Sequence, residues 1–317
     1  MELTGLIAYV IFFLSLAGVY ALLALGLNVQ WGYTGMLNIG IAAFFAIGAY
    51  TSAILTSPAT AVPGGFGLPI PVGMISAMLV AGVLALFIGL ITLNLRTDYL
   101  AIASIGIAEI VRLVLKNEEW LTNGVRGMSG IPKPFSGLVP GADALFFLGT
   151  VVVLVLVVYW ANQQAYRSPW GRVLRAIREK EIAASAMGKY TLVFRLQAFV
   201  YGSCIMGLAG AVYAHFIGFI SPEAFDPLFA TFLVWVMLIA GGSGNNRGAV
   251  LGAVAIWTVW SLTEFLTTRV VTEHFSLSQL AAMRVFMIGL LLQIILLLRP
   301  QGILPEVPPE PIRDPKK

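Results

Sequence analysis

Apolar residues run through this chain in long blocks separated by short polar stretches. The first is the most extreme: from Leu3 to Leu95 there is no Asp, Glu, Lys, Arg or His. A helix that crosses a bilayer needs roughly 20 mostly apolar residues, because the hydrocarbon core is about 30 Å thick. Segments that meet or approach this requirement are 6–27, 30–56, 72–94, 98–115, 144–161, 195–216, 228–243, 248–266 and 284–298. The pattern therefore predicts an all-α polytopic membrane helix bundle of about nine spans, with eight and ten as the bounds. Segment 30–56 is long for one helix and carries Gly32, Gly35, Gly40 and Gly48. A broken or re-entrant helix within 28–56 would change the count and the side on which the chain begins.

Composition removes the soluble alternative. Of 317 residues, 59% are hydrophobic and 11% charged, against roughly 25% charged in soluble domains. Mean hydropathy is +0.90. There is too little polar material to coat a water-facing surface, so lipid is the expected solvent. The first segment lacks a basic leader and is followed by "NVQWGYTG", so it reads as a span and not as a cleaved signal peptide. A single cysteine, Cys204, excludes an internal disulfide framework and a cysteine-rich metal site.

The net charge of +4 reads as topology and not as a nucleic-acid surface. Lys and Arg favour the cytoplasmic side in short loops. Residues 162–195 hold Arg167, Arg172, Arg175, Arg178, Lys180, Lys189 and Arg195, which places this segment inside. Residues 116–143, with mixed charge, and the uncharged loop 57–71 then fall outside. Arg96 and Arg247 fall in inner loops, and Arg299 opens a Pro-rich inner tail, 299–317, expected to be an extended strap. Nine crossings put the N-terminus outside.

Few residues inside the spans could carry chemistry. Asn28, Gln30, Tyr33 and Asn38, with Gly40, interrupt an otherwise apolar half. Polar groups and non-helical backbone at membrane depth occur where they are buried in protein or line a watery cavity. One reading is a broken helix lining a translocation path; the other is an inner loop before a helix whose glycines allow close packing. Glu109 and Arg112, three apart, share a helix face and form either a gate or an intrahelical ion pair near the outer interface. Asp98 complements the start of its helix. His215 and Glu264 are isolated near outer span ends, so no proton relay is visible. "GGSGNNRG" lacks the Lys and Ser/Thr of a nucleotide-binding loop, and no nucleophile–base constellation occurs. The glycine-punctuated stretches "NVQWGYTGMLNIGIAAFFAIGA" and "MLIAGGSGNNRGAVLGA" suggest distant halves of a duplication.

The basic segment has its own pattern. Val173, Leu174, Ile177 and Ile182 recur at helical spacing, Arg172, Arg175 and Arg178 line up in steps of three, and Arg175 and Glu179 are placed to pair. The small run "AASAMG" follows, ending in Gly188, a helix stop. A helix over Arg172–Gly188 with small residues at its end predicts a docking element in place of a merely solvated loop.

Taken together, "GLNVQWGYTGMLNIGIAAFFAIGAY", "YLAIASIGIAEIVRL", "GMSGIP", "SPWGRVLRAIREKEIAASAMG", "GLAGAVYAHFIGFISPEAF", "GGSGNNRGAVLGA" and "LLLRPQGILP" resemble the LivM-type permease subunits of branched-chain amino-acid ABC importers, within the LivH/LivM permease family. The resemblance implies one transmembrane domain over 1–317, with a coupling segment at 162–194. Importers of this kind dock a cytoplasmic EAAxxxG segment in a groove of the ATPase. Ala183, Ala184 and Gly188 fit, whereas Ile182 takes the acidic position and Glu181 lies one residue early. The implied partners are a LivH-like second permease, two ATPase subunits that hold ATP and magnesium, and an external substrate-binding protein. The chain itself would hold no cofactor and hydrolyse nothing, and would sit in a bacterial or archaeal cytoplasmic membrane. Branched-chain or other neutral amino acids are the implied cargo; urea or short amides, carried by members of the same family, are an alternative, and a stand-alone channel or secondary carrier is the alternative of another class.

Overall fold

The computed structural model describes residues 2–58, 65–95, 97–134, 142–226, 228–270, 277–299 and 301–306. Every apolar segment named above contains a helix, though not every helix is a full span. The long helices are α1 (Glu2–Leu27), α2 (Ile41–Thr56), α3 (Ile70–Thr92) and α4 (Thr97–Asn117). After the single turn α5 (Glu119–Thr122) come α6 (Asp143–Arg167), α7 (Pro169–Ala186) and α8 (Thr191–Ile217), then α9 (Leu233–Gly241), α10 (Asn246–Val270) and α11 (Leu277–Leu298). Among the described residues, four segments are long and apolar enough to cross a bilayer alone: Ile7–Gly32, Ile70–Thr92, Asp143–Arg167 and Thr191–Ile217. The result is a multi-pass all-α bundle.

The expected span 30–56 is broken. Its helix α2 has 16 residues, about 24 Å at 1.5 Å per residue, too short to cross alone. Span 228–243 is a short helical run, a π-turn (Leu228–Phe232) that leads directly into the nine-residue α9. Arg96 and tail residues 307–317 lie outside the described residues. Glu264 lies on α10, but its side chain is also outside them.

Helix α8 is the hub, packed against α1, α2 and α3. Lipid supplies no hydrophobic drive between helices, so close backbone approach has to supply the attraction. A Cβ on Gly48 of α2 would strike the backbone of Gly207 on α8, and one on Gly207 would lie 2.7 Å from the Ala77 carbonyl of α3. Glycine at both positions lets three helices meet along one line. By contrast α3 turns Ile75, Leu79, Val83, Phe87, Leu90 and Ile91 outward, a wholly apolar face suited to lipid.

The end of the bundle opposite α7 is pinned by a small sheet, Met128–Ser129 antiparallel to Phe219–Ile220. His215, fully buried, lies 2.7 Å from the Pro132 carbonyl through Nδ1 and 2.8 Å from the Ser52 hydroxyl through Nε2. A carbonyl can only accept, so Nδ1 carries the proton and Nε2 accepts from Ser52. His215 is thus a structural tie.

Candidate functional site

The break after α1 begins with a π-turn over Asn28–Gly32, closed by the Tyr33 amide donating to the Asn28 carbonyl at 3.1 Å. Residues 35–40 then run without helix, with Gly35 at φ +70°. Backbone groups that leave a helix inside a bundle need other partners. Here side chains of other helices supply them. The Ile39 amide donates to Ser104 Oγ of α4 at 2.9 Å, and the Ala42 amide to Thr231 Oγ1 at 3.1 Å. The Gly40 amide donates to Asn38 Oδ1 at 2.8 Å, while Trp235 Nε1 donates to the Asn38 carbonyl at 3.0 Å. The break is therefore built in, with several of its backbone amides and the Asn38 carbonyl met by side chains.

The polar side chains singled out in the sequence are brought together, but toward one another. Asn28, Gln30, Tyr33 and Asn38 are all fully buried. Asn38 Nδ2 donates to Gln30 Oε1 at 2.7 Å, and Gln30 Nε2 donates to the Phe199 carbonyl and to Ser203 of α8. Asn28 Nδ2 and the Tyr33 hydroxyl both donate to Asn246 Oδ1, at 2.9 and 2.7 Å. Asn28 Oδ1 accepts from the Gly244 amide at 2.8 Å, and Asn246 Nδ2 donates to Gln163 at 3.1 Å. The two glycine-punctuated stretches thus meet face to face through Asn28, Gly244 and Asn246. Asn246 and Gln163 were not singled out from sequence; "GGSGNNRG" drew attention for its glycines, and the asparagines beside them carry the contact.

Helix α7 lies at the same end as the break. It starts on Ser168, whose hydroxyl accepts from the Gly171 amide, and on Pro169. Leu174 and Ile177 are buried, as their spacing predicts, but Lys180 is non-helical at φ −151°, ψ 89°. The expected single helix over Arg172–Gly188 is two pieces, 169–179 and a short one ending at Ala186, stopped by Gly188 at φ +78°. The second piece projects together with the turn that follows it: Ile182 on the helix is 88% exposed, and Met187 and Tyr190 just beyond its end are each 81% exposed. A groove of about 620 Å³ runs alongside, lined by Arg172, Glu179, Ala183 and Ala184 among others. Glu181 pairs with Arg195 at 3.3 Å.

The expected Arg175–Glu179 pair is not among the described ion pairs. Arg175 instead lies over the Tyr166 ring, 4.2 Å from its centre, because α6 turns into α7 tightly enough to set the aromatic ring beneath it. Arg178 is drawn away from its own helix, donating to the Gly32 carbonyl and to Glu306 of the tail, the latter at 2.7 Å.

On α4, Glu109 and Arg112 form an ion pair at 2.6 Å, and Arg112 also reaches Glu223 at 3.5 Å. Lys116 pairs with Glu223 at 2.9 Å, which holds the exposed Glu223 carboxyl below the usual carboxylate range. Asp98 sits in the first turn of α4. Residue Glu109 lies 12 residues into this helix, about 18 Å along it, with its side chain 40% exposed. Lipid is an expensive neighbour for such a group.

A family model described as the permease component of branched-chain amino acid transport systems matches residues 9–296. The high-affinity branched-chain amino acid permease LivM of Escherichia coli K12 is 32% identical over 319 residues, covering 93% of this chain and 70% of that protein. The probable branched-chain amino acid permease LivM of Methanocaldococcus jannaschii is 28% identical over 92% of each chain. LivH of Escherichia coli K12 is 24% identical, covering 92% of this chain and 94% of that one. No solved structure matches.

Proposed function

The chain belongs to the branched-chain amino acid transport permease family, and we propose from that premise that it forms half the pore of an ATP-driven importer. Its cargo is a branched-chain or other neutral amino acid handed over by an external binding protein. A LivH-like permease forms the other half, and two ATPase subunits supply the energy with ATP and magnesium. The membrane is the cytoplasmic membrane of a bacterium or archaeon. The relatives named above favour amino acids over urea or amides.

About nine crossings with the N-terminus outside agree with the contacts: Gly32, α7, the 240–246 turn and residues 301–306 share one end, while Ser52, Pro132, His215, Lys116 and Glu223 share the other. The basic end is then cytoplasmic.

The observation that carries the reading is the projecting second half of α7 with the turn that follows it. Three large apolar side chains facing water at the basic end of a membrane bundle make a knob for a soluble partner. Arg172, Arg175, Arg178, Glu179, Glu181, Ala183, Ala184 and Gly188 build or support that knob. The route runs beside the break, whose backbone and Gly40 border it. Asn28, Gln30, Tyr33 and Asn38 hold the break in shape from behind. Glu109 and Arg112, opposed charges on a half-exposed face, form its outer mouth, where a zwitterion meets both signs before entering a route without fixed charge. Conduction needs contacts weak enough to release.

The test is co-purification and reconstitution. The tagged permease should retain an ATPase through detergent extraction, and Ile182→Asp should lose it while still inserting in the membrane. Retention of the ATPase by Ile182→Asp and Tyr190→Asp alike, or solute flux through the chain alone without ATP, would overturn the assignment.

A further inference from the structure

Glu306 joins the tail to two helices remote from it in sequence, α6 and α7. Its Oε2 accepts from Arg178 Nη2 of α7 at 2.7 Å, and its Oε1 accepts from the Tyr166 hydroxyl of α6 at 3.1 Å. The tail that carries it is sewn to the turn between α9 and α10. The Ile303 amide donates to the Ala240 carbonyl at 2.8 Å, the Leu304 amide to the Gly241 carbonyl at 2.9 Å, and Asn245 Nδ2 to the Pro305 carbonyl at 3.0 Å. Gly244, at φ +84°, takes a conformation that favours glycine, and a Cβ there would sit 2.8 Å from the Glu306 carboxylate. Arg178, with its other nitrogen, holds the Gly32 carbonyl at the turn of the broken element. Both side chains of the pair are about three-quarters buried.

We propose that Arg178 and Glu306 form a latch that couples α7 to the broken element after α1 and to the 240–246 turn, making both residues positioning residues for transport. This rests on the reading of α7 as the ATPase-docking helix. A displacement of α7 pulls Arg178, and Arg178 has two anchors. One is Gly32, in the same π-turn as Asn28. The other is Glu306, which pulls the 240–246 turn through residues 303–305. Those two turns meet at the Asn28–Gly244 and Asn28–Asn246 bonds. The latch therefore delivers motion of one helix to both sides of a single buried joint. Side-chain packing between α7 and the bundle alone would not do this, because the break and the 240–246 turn would be free to respond separately. Coupling is carried by elements that both sites bias, and this pair is the described ionic contact that bridges α7 to the tail.

The test uses the complete importer, reconstituted with its second permease, ATPases and binding protein. Molecules imported per ATP are measured for Glu306→Gln, Arg178→Gln and the double variant. Networks of this kind shift coupling by about 2-fold to 30-fold. Each single variant should lower import per ATP within that range while ATP hydrolysis stays close to wild type. The double variant should be no worse than the worse single one, since both remove one shared interaction. Arg178→Lys, which keeps the charge but cannot grip both anchors, should fall between. Wild-type import per ATP in Glu306→Gln, or losses that multiply in the double variant, would overturn the latch. Should Glu306→Gln fail to assemble, Tyr166→Phe removes only the hydroxyl that orients Glu306, and it must show the same uncoupling at smaller amplitude. Cross-linking of an Ile182→Cys variant to the ATPase, followed in the same preparations, separates the two readings: its absence in an otherwise wild-type importer removes the docking assignment, whereas its persistence in an uncoupled Glu306→Gln importer supports the latch.

Discussion

Replacing Asn246 by alanine tests whether the joint between the break after α1 and the 240–246 turn is held by its side chain. In the native chain Asn246 Oδ1 accepts from Asn28 Nδ2 at 2.9 Å and from the Tyr33 hydroxyl at 2.7 Å, and all three residues are at most 2% exposed. Alanine removes both bonds and the one from Asn246 Nδ2 to Gln163. Interhelical hydrogen bonds in membrane proteins contribute about 0.6 kcal/mol on average and at most about 1.7, so three give about 2–5 kcal/mol. The losses are unequal. Tyr33 keeps a 3.3 Å contact with the Asn162 carbonyl, whereas no other acceptor is described for Asn28 Nδ2. A donor buried without a partner costs more than the mean bond, which puts the expected loss at about 2–3 kcal/mol for Asn246→Ala. Tyr33→Phe, which removes one of the two donors and leaves the Asn28 bond intact, should cost about 1 kcal/mol or less. Equilibrium unfolding in mixed micelles measures both. The single cysteine, Cys204, is a convenient reporter: it lies on α8, packed so closely on Gly82 of α3 that a Cβ there would be 2.6 Å from its sulfur. Its labelling by a thiol-reactive fluorophore follows separation of these helices. Asn246→Ala within about 0.5 kcal/mol of wild type, or Tyr33→Phe as costly as Asn246→Ala, would refute the reasoning.

The same assay should show Gly207→Val destabilised by about 3 kcal/mol or more, since the added carbons meet Ala81 and the Ala77 carbonyl with no room to move; Gly149→Ala, where a Cβ meets nothing within 4 Å, should stay within about 0.5 kcal/mol. Loss of Lys116 should raise the Glu223 pKa toward its ordinary value, because the Lys116 ammonium is what holds it low. The sign follows: a depressed folded pKa means the pair acts at neutral pH and is lost as pH falls through that pKa. Isotope-edited infrared titration with Glu223→Gln as the blank reads it, and an unchanged titration in Lys116→Met would contradict the pairing.

Much of this protein was legible in one dimension because the bilayer imposes a length and a composition on whatever crosses it. The apolar blocks marked helices α1 to α4, α6 and α8 to α11 to within a few residues at most ends, and the run of arginines marked α7. The glycines and amides of 28–40 announced a break, since backbone freed from a helix in lipid has to be met by something polar. What they could not announce was the partner. Ser104, Thr231, Trp235 and Asn246 are single polar or aromatic residues in unrelated segments, and only the packing of α4, α9 and α10 against α1 and α2 fixes which of them arrive at the break. The same holds for Arg178. Its spacing put it on a stripe with Arg172 and Arg175, as one more inward-side charge, and Glu179 beside Arg175 looked like the natural ion pair. In three dimensions the ring of Tyr166 takes Arg175, and Glu306, 128 residues away from Arg178, takes Arg178. Periodicity reports which face a side chain occupies; it carries no information about what another element brings to that face. The sequence by itself therefore determined the solvent, the helices and the place of the break, whereas the tertiary structure decided the bonds across the break and the latch, because those bonds depend on distance between segments that the chain order does not encode.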